Sequence, residues 1–169
     1  MLFLTEADIR YKETYLEAIR EFQEEGRYLD WTPREIAADF LHFVQTLHAC
    51  KTYPRPGRVP ETFYWLIDGD TFIGRLSLRH ELNDSLNLIG GHIGYEIRPS
   101  MRLRGYGKAI LRLGLHKVRE LGLKRVLVTC DDTNIGSSKI IEANGGLLQD
   151  VIVVPGHSAP VRRYWIVLA

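Results

Sequence analysis

Cysteine is nearly absent: Cys50 and Cys130 are the only two. Two isolated thiols make no paired framework, which excludes a disulfide-stapled fold and leads us to expect a reducing, cytoplasmic setting. Charge of one sign is missing too. The 22 basic and 21 acidic residues leave a net charge of +1, which argues against nucleic acid as the main partner, because that needs a strongly basic face. No apolar run approaches the length of a membrane span. The stretch Met1–Asp8 turns acidic at once and lacks the charged lead and long apolar core of a signal peptide. The six histidines show no metal-ligand spacing; His42 and His48 sit six apart on one expected helix and share no face, so no metal is expected. Repeats and low-complexity tracts are absent, and 169 residues suit one domain, 1–169, with a full core.

What is present is regular patterning. Leu2–Leu4 is a short candidate strand. Asp8 can cap a helix that carries Leu16, Ile19 and Phe22 on one side and ends near Gly26. Thr32-Pro33-Arg34-Glu35 reads as a capping box, and Ile36, Phe40, Val44 and Leu47 follow at helical spacing as one core stripe. The proline-rich segment from Tyr53 to Pro60 reads as an ordered loop. Phe63–Ile67 and Thr71–Arg79 are β-rich and flank the hairpin turn Asp68-Gly69-Asp70. Leu86–Arg98 is a third strand candidate, interrupted by Gly90-Gly91 and Gly94, where glycine marks a bulge or a close backbone approach. A helix bearing Leu111, Leu115, Val118 and Leu121 follows, then a buried strand Val126–Cys130, a helix from Ser137 to Asn144, and final strands Leu147–Val154 and Val161–Leu168. This order predicts a mixed sheet with helices packed on it.

The most informative stretch is Arg102-Leu103-Arg104-Gly105-Tyr106-Gly107, followed at once by Lys108 and a helix. Glycines let the backbone come close to a bound group. The free N–H groups and positive dipole end of the helix behind them favour an anion. Arg102, Arg104 and Lys108 add positive charge, so a phosphate or pyrophosphate is the simplest ligand. A plain tight turn is the other reading. A nucleotide-phosphate binder is a third, disfavoured because the Walker spacing before Lys108 is absent.

The order of elements together with this loop resembles the GNAT superfamily of N-acetyltransferases. Arg102-x-x-Gly105-x-Gly107 is similar to that family's pyrophosphate loop, and Gly94-Tyr95-Glu96-Ile97-Arg98-Pro99 to the strand that leads into it. One crossover later, Asn134-Ile135-Gly136-Ser137-Ser138 resembles the segment after the family's fifth strand, and Glu142-Ala143-Asn144-Gly145-Gly146 its helix end. The segments around Gly91–Pro99 and Arg163-Tyr164-Trp165-Ile166 are similar to uncharacterised bacterial acetyltransferases. The resemblance implies an α+β fold layered α/β/α, with a mostly antiparallel twisted sheet and helices on both faces. It implies two neighbouring strands that splay apart to admit acetyl-CoA, the acetyl donor. Main-chain N–H groups from Arg104 through Gly105, Tyr106 and Gly107 to Lys108 would hold the pyrophosphate. The backbone at Ile97 would pair with the pantetheine arm and its N–H would face the thioester oxygen; Asn134 would bond the pantetheine, with Ser137 or Lys139 assisting.

The implied reaction is direct transfer of acetyl to a primary amine in a ternary complex. An alkylamine has a pKa of about 10, so its proton needs an acceptor. Strand alternation would set His92, Gly94 and Glu96 on one face, making His92 and Glu96 the candidate bases. A structural histidine and an exposed strand charge are the plain alternatives. Relatives place a proton-donating tyrosine where this chain has Ile141; Tyr95 and Tyr164 are substitutes to consider. That departure keeps a non-catalytic acyl-CoA-binding or regulatory module open as the alternative function. Cys130 reads as an inert core thiol. Arg79 and His80 fit either an acceptor pocket or a hairpin end. Glu21, Glu24, Glu25 and Asp30 fit either attraction of a cationic amine or a solvated helix face. The acceptor stays open between small amines and peptide amines, and a homodimer pairing along the last strand is a further expectation.

Overall fold

The computed structural model describes residues 1–169. The chain opens with β1 (Leu2–Glu6), then a 3-10 turn at Ile9–Tyr11 whose start is capped by the Asp8 carboxylate accepting from the Arg10 N–H at 2.9 Å. It continues into α1 (Lys12–Glu24), α2 (Pro33–Ala38) and α3 (Phe40–Ala49). The hairpin β2 (Glu61–Asp68) and β3 (Thr71–Arg79) follows, then a short helix α4 (Asp84–Leu88) and β4 (Ile93–Ile97). The second half is α5 (Tyr106–Glu120), β5 (Arg125–Asp131), α6 (Ile135–Ala143), β6 (Leu147–Ile152) and β7 (Val161–Val167).

The strands form one sheet in the order β1-β2-β3-β4-β5-β7-β6, antiparallel everywhere except between β4 and β5. Side chains alternate across each strand, so the sheet feeds two cores. On one face Trp65, Ile67 and Phe72 pack with Tyr15, Ile19 and Phe22 of α1; Tyr15 stacks on Trp65 with ring centroids 4.4 Å apart. On the other face Leu66, Leu76 and Leu78 meet Ile110, Leu111, Leu115 and Val118 of α5. Each such buried aliphatic side chain contributes about 1.5–3 kcal/mol over leaving it exposed.

The β4–β5 junction positions everything that follows. These two parallel strands pair at one point, Ile93 opposite Val128. Just before it, Gly91 adopts φ +59, and a Cβ there would lie 2.3 Å from the Leu127 carbonyl oxygen. That close approach brings the His92 N–H to the Leu127 carbonyl (2.8 Å) and the Leu127 N–H to His92 Nδ1 (3.0 Å). Beyond this clamp β4 stays with β3 as far as Ile97, while β5 follows β7. The strands therefore part, and a cleft opens between them.

Three sequence expectations change. Leu86–Leu88 belong to α4 rather than to a long strand, because the Asn83 side chain caps a helix there by accepting from the Leu86 N–H. The stripe from Ile36 to Leu47 is split at Asp39, which leaves helical geometry (φ −136, ψ 66) and caps α3; the Thr32 side chain makes no capping bond. The last strand β7 lies inside the sheet between β5 and β6, so the exposed edge on that side is β6, with Leu147, Leu148 and Val151 outward. The fold contains no helix long and apolar enough to cross a membrane.

Candidate active site

The turn ahead of α5 is built around two left-handed residues, Leu103 (φ 59) and Gly105 (φ 85). Gly105 caps the helix without a side-chain bond. The first intrahelical donor of the turn is Ala109, which bonds the Gly105 carbonyl at 3.2 Å. The main-chain N–H groups of Leu103, Arg104, Gly105, Tyr106, Gly107 and Lys108 have no acceptor within the chain. Six neighbouring donors beside a positive helix end form an anion cradle. The space beside Gly105 is empty. A Cβ on Gly107 would meet Ile140 Cδ1 at 2.5 Å, so this glycine serves the close packing of α5 on α6.

The charged side chains of this loop have different duties. Arg102 is not free: its guanidinium bonds both oxygens of Glu25, the residue that ends α1 (2.7 and 3.0 Å), and the Ile97 carbonyl (3.2 Å). Buried Arg98 does likewise with Glu17, Glu21 and Thr14, and Glu21 also bonds Ser100. Glu21 and Glu25 thus anchor the loop to α1 and line none of three cavities that open along β4. Arg104, Lys108 and Lys139 project into solvent. The Tyr106 hydroxyl points away, donating to Asp68 Oδ2 at 2.8 Å.

From this loop a cavity of 590 Å³ runs along the parted strands past Ile97, Gly107, Asn134, Ser137 and Ile140 to Tyr95 and Glu96. Asn134 stands at its wall and caps α6, its Oδ1 accepting from the Ser137 N–H at 3.0 Å. The Tyr95 hydroxyl and Ser137 Oγ lie 2.9 Å apart across the gap. Burial pushes the Tyr95 phenol up to about 12, so it keeps its proton at neutral pH. A second cavity of 310 Å³ continues past Tyr95 to Arg79, Thr129 and Cys130. The Cys130 thiol is raised by burial.

A third cavity, 370 Å³, opens on the α1–α3 side of β3 and β4. It shares Arg27, Tyr95 and Glu96 with the first. Glu96 has three partners there. Arg75, directly opposite on β3, pairs with it at 2.6 Å, Arg27 forms a second ion pair, and the Tyr28 hydroxyl donates to it.

The structure brings together Ile97, Glu96, Gly107, Asn134 and Ser137 in one cleft, and does not bring His92 there. Its ring is 7% exposed, spans from β4 to β5, and lies edge-on to Trp165. Burial, with the Arg79 charge next, pushes its pKa down to about 4. Its bond to the Leu127 N–H uses the Nδ1 lone pair that a base would need. Ile141 is wholly buried against Gly146 and lines none of these cavities. Tyr164 is buried too, donating to Glu142. His80 bonds Thr62 at the far end of β3. Sequence reasoning missed Arg27, Tyr28 and Arg75. The pairing register of β3 on β4, which sets Arg75 opposite Glu96, was the signal available. No cluster of three or more His, Cys, Asp or Glu side chains could hold a metal ion.

Comparison with known proteins adds to this geometry. No curated protein matches the sequence. Among solved structures, RimJ of Mycobacterium smegmatis in complex with CoA-disulfide superposes with a TM-score of 0.71 at 17% identity, over 98% of this chain and 81% of that one. The microcin self-immunity acetyltransferase MccE, in complex with acetyl-CoA and AMP, gives 0.69 at 15% identity over 99% and 92%. RimL, a ribosomal-protein α-N-acetyltransferase in complex with coenzyme A, gives 0.68 at 19% over 99% and 94%. At these identities the likeness establishes the shared layered fold, a mostly antiparallel sheet with helices on both faces. A family model described as acetyltransferase (GNAT) domain matches residues 4–146. On that match, which takes in both parted strands and the glycine loop ahead of α5, the chain belongs to the GNAT acetyltransferase family.

Proposed function

We propose that this protein transfers an acetyl group from acetyl-CoA directly to a primary amine within a ternary complex. The observation that carries the reading is the run of six unpartnered amides, Leu103–Lys108, at the mouth of a cleft made by two parting strands. The donors and the empty space beside Gly105 suit a diphosphate, and the 590 Å³ channel suits the pantetheine arm. Acetyl-CoA, when bound, supplies a thioester carbonyl to the amine.

The chain's own groups then divide the work. The amides of residues 103–108 bind charge. Because the Ile97 carbonyl faces away from β3, accepting from Arg102, the Ile97 N–H shares that free edge. It donates to the carbonyl oxygen as negative charge develops. Asn134 and Ser137 orient the arm. The amine nitrogen bonds the acetyl carbon, the C–S bond breaks with its electron pair passing to sulfur, and the Tyr95 hydroxyl supplies the proton that sulfur takes up, the phenolate then recovering a proton from water. Glu96 faces both the channel and the third cavity and accepts a hydrogen bond from the amine. A proton retained on Glu96 would break its ion pairs with Arg27 and Arg75, so the amine's proton passes on to water.

Ile141 motivates the non-catalytic alternative; the Tyr95 hydroxyl at the cleft, a proton donor from another element, supports the catalytic reading instead. Calorimetry with acetyl-CoA and thiol release across an amine panel test the proposal. Binding together with amine-dependent release is expected; binding without release from any amine would return the chain to the non-catalytic reading.

A further inference from the structure

The third cavity has a charge character that the overall composition hides. Its lining carries the guanidiniums of Arg27, Arg55, Arg58, Arg75 and Arg79 against the carboxylates of Glu61 and Glu96. Arg27 and Arg75 are paired with Glu96, and Arg79 stands 3.4 Å from Glu61. Arg55 and Arg58, on the proline-rich loop that closes the cavity, join no ion pair and are exposed. Arg79 feels its neighbours: burial lowers its pKa first, the Glu61 carboxylate opposes this, and the charges of Arg58 and Arg75 lower it again. A pocket left with uncompensated guanidiniums selects an anion, because the fork geometry matches carboxylate and phosphate oxygens. Of the four acids that fit attraction of a cation, Glu21 and Glu25 are engaged in anchoring the loop, and Glu24 and Asp30 do not line this cavity.

We infer that the acetyl acceptor is a small primary amine that also carries a carboxylate or phosphate, its anionic group held by Arg55 and Arg58 and its nitrogen directed past Glu96 toward Tyr95. This rests on the acetyl-transfer reading and names its substrate class. The cavity of 370 Å³ holds a small molecule. The same positive field disfavours an ammonium over a free amine, so it readies the nucleophile as well as binding the anion.

The test pairs compounds that differ in the anion: phosphoethanolamine with ethanolamine, β-alanine with propylamine, and putrescine as the cationic case. Thiol release at saturating acetyl-CoA gives kcat/KM for each. The anionic member of a pair is expected to lead by about tenfold or more, as one charge-assisted contact is worth. Which pair shows the larger gap distinguishes phosphate from carboxylate. In the Arg55→Gln/Arg58→Gln variant the lead collapses while coenzyme A affinity holds, and Arg55→Lys/Arg58→Lys restores part of it. Neutral or cationic amines turned over as well as anionic ones, or a lead that survives the double substitution, would overturn the inference. So would a preference for peptide amino termini free of acidic residues. If no amine releases thiol, the transfer reading fails, and equilibrium titration of the same compounds decides the cavity separately. Binding of the anionic members alone, lost in the Gln variant, upholds its anion selectivity; equal or absent binding overturns it.

Discussion

Replacing Gly91 by alanine strikes the point on which the cleft pivots. A left-handed backbone costs a residue with a Cβ about 1–2 kcal/mol. At Gly91 the added carbon would also lie 2.3 Å from the Leu127 oxygen and 2.8 Å from its carbonyl carbon. Both are main-chain atoms, so no rotamer change relieves the overlap and β4 must move off β5. That movement breaks the two bonds between His92 and Leu127, each with a net value of about 0.5–1.5 kcal/mol. The sum is about 2–5 kcal/mol, a large share of the roughly 5–15 kcal/mol that holds a domain together. Gly26→Ala is the matched control: φ is +82 and nothing lies within 4 Å, so only the backbone cost applies. Urea denaturation of both variants with linear extrapolation reads the difference. Gly91→Ala within about 0.5 kcal/mol of Gly26→Ala, below the value of a single bond, would refute the pivot.

The His92 imidazole, held down to about 4 against an ordinary value near 6.5, makes folding weaken as the medium acidifies. Its stabilising contribution is present above pH 6.5 and is lost as pH falls toward 4, by about 2 kcal/mol between pH 7 and pH 5. His92→Gln should flatten that part of the urea-stability profile, and an unchanged slope would contradict the buried neutral ring. Tyr95→Phe should lower kcat by about a hundredfold with coenzyme A affinity unchanged; a kcat within about threefold of wild type, far short of general-acid values, removes the tyrosine from the chemistry. Asn134→Ala removes the cap on α6 and should cost about 1 kcal/mol in thermal or urea unfolding, together with weaker acetyl-CoA binding in calorimetry.

Much of the architecture is legible in the chain because local signals and burial agree. The Asp68-Gly69-Asp70 turn and the stripe Leu111–Leu115–Val118 each specify one outcome. Where the reading failed, a polar side chain competed with an apolar pattern. Asn83 captured Leu86–Leu88 for a helix, and Asp39 broke a continuous stripe by capping its second half. The candidate site was legible in its main-chain features: the amides of Arg104–Lys108 are unpartnered ahead of α5, and Ile97 lines the cleft. It was illegible where partners come from distant segments. Nothing local reveals that Arg102 is claimed by Glu25, that Tyr28 and Arg27 reach Glu96, or that His92 turns into the strand junction. Those contacts follow from how α1 and the segment after it lie across β4, which only tertiary packing fixes.

The central claim is that main-chain donors ahead of α5 bind the diphosphate of coenzyme A. Amide-resolved NMR during a coenzyme A titration measures those donors directly. Arg104 to Lys108 and Ile97 should show the largest amide shifts, with slowed hydrogen exchange at saturation. Saturable binding that leaves these amides unmoved, while others respond, would contradict it.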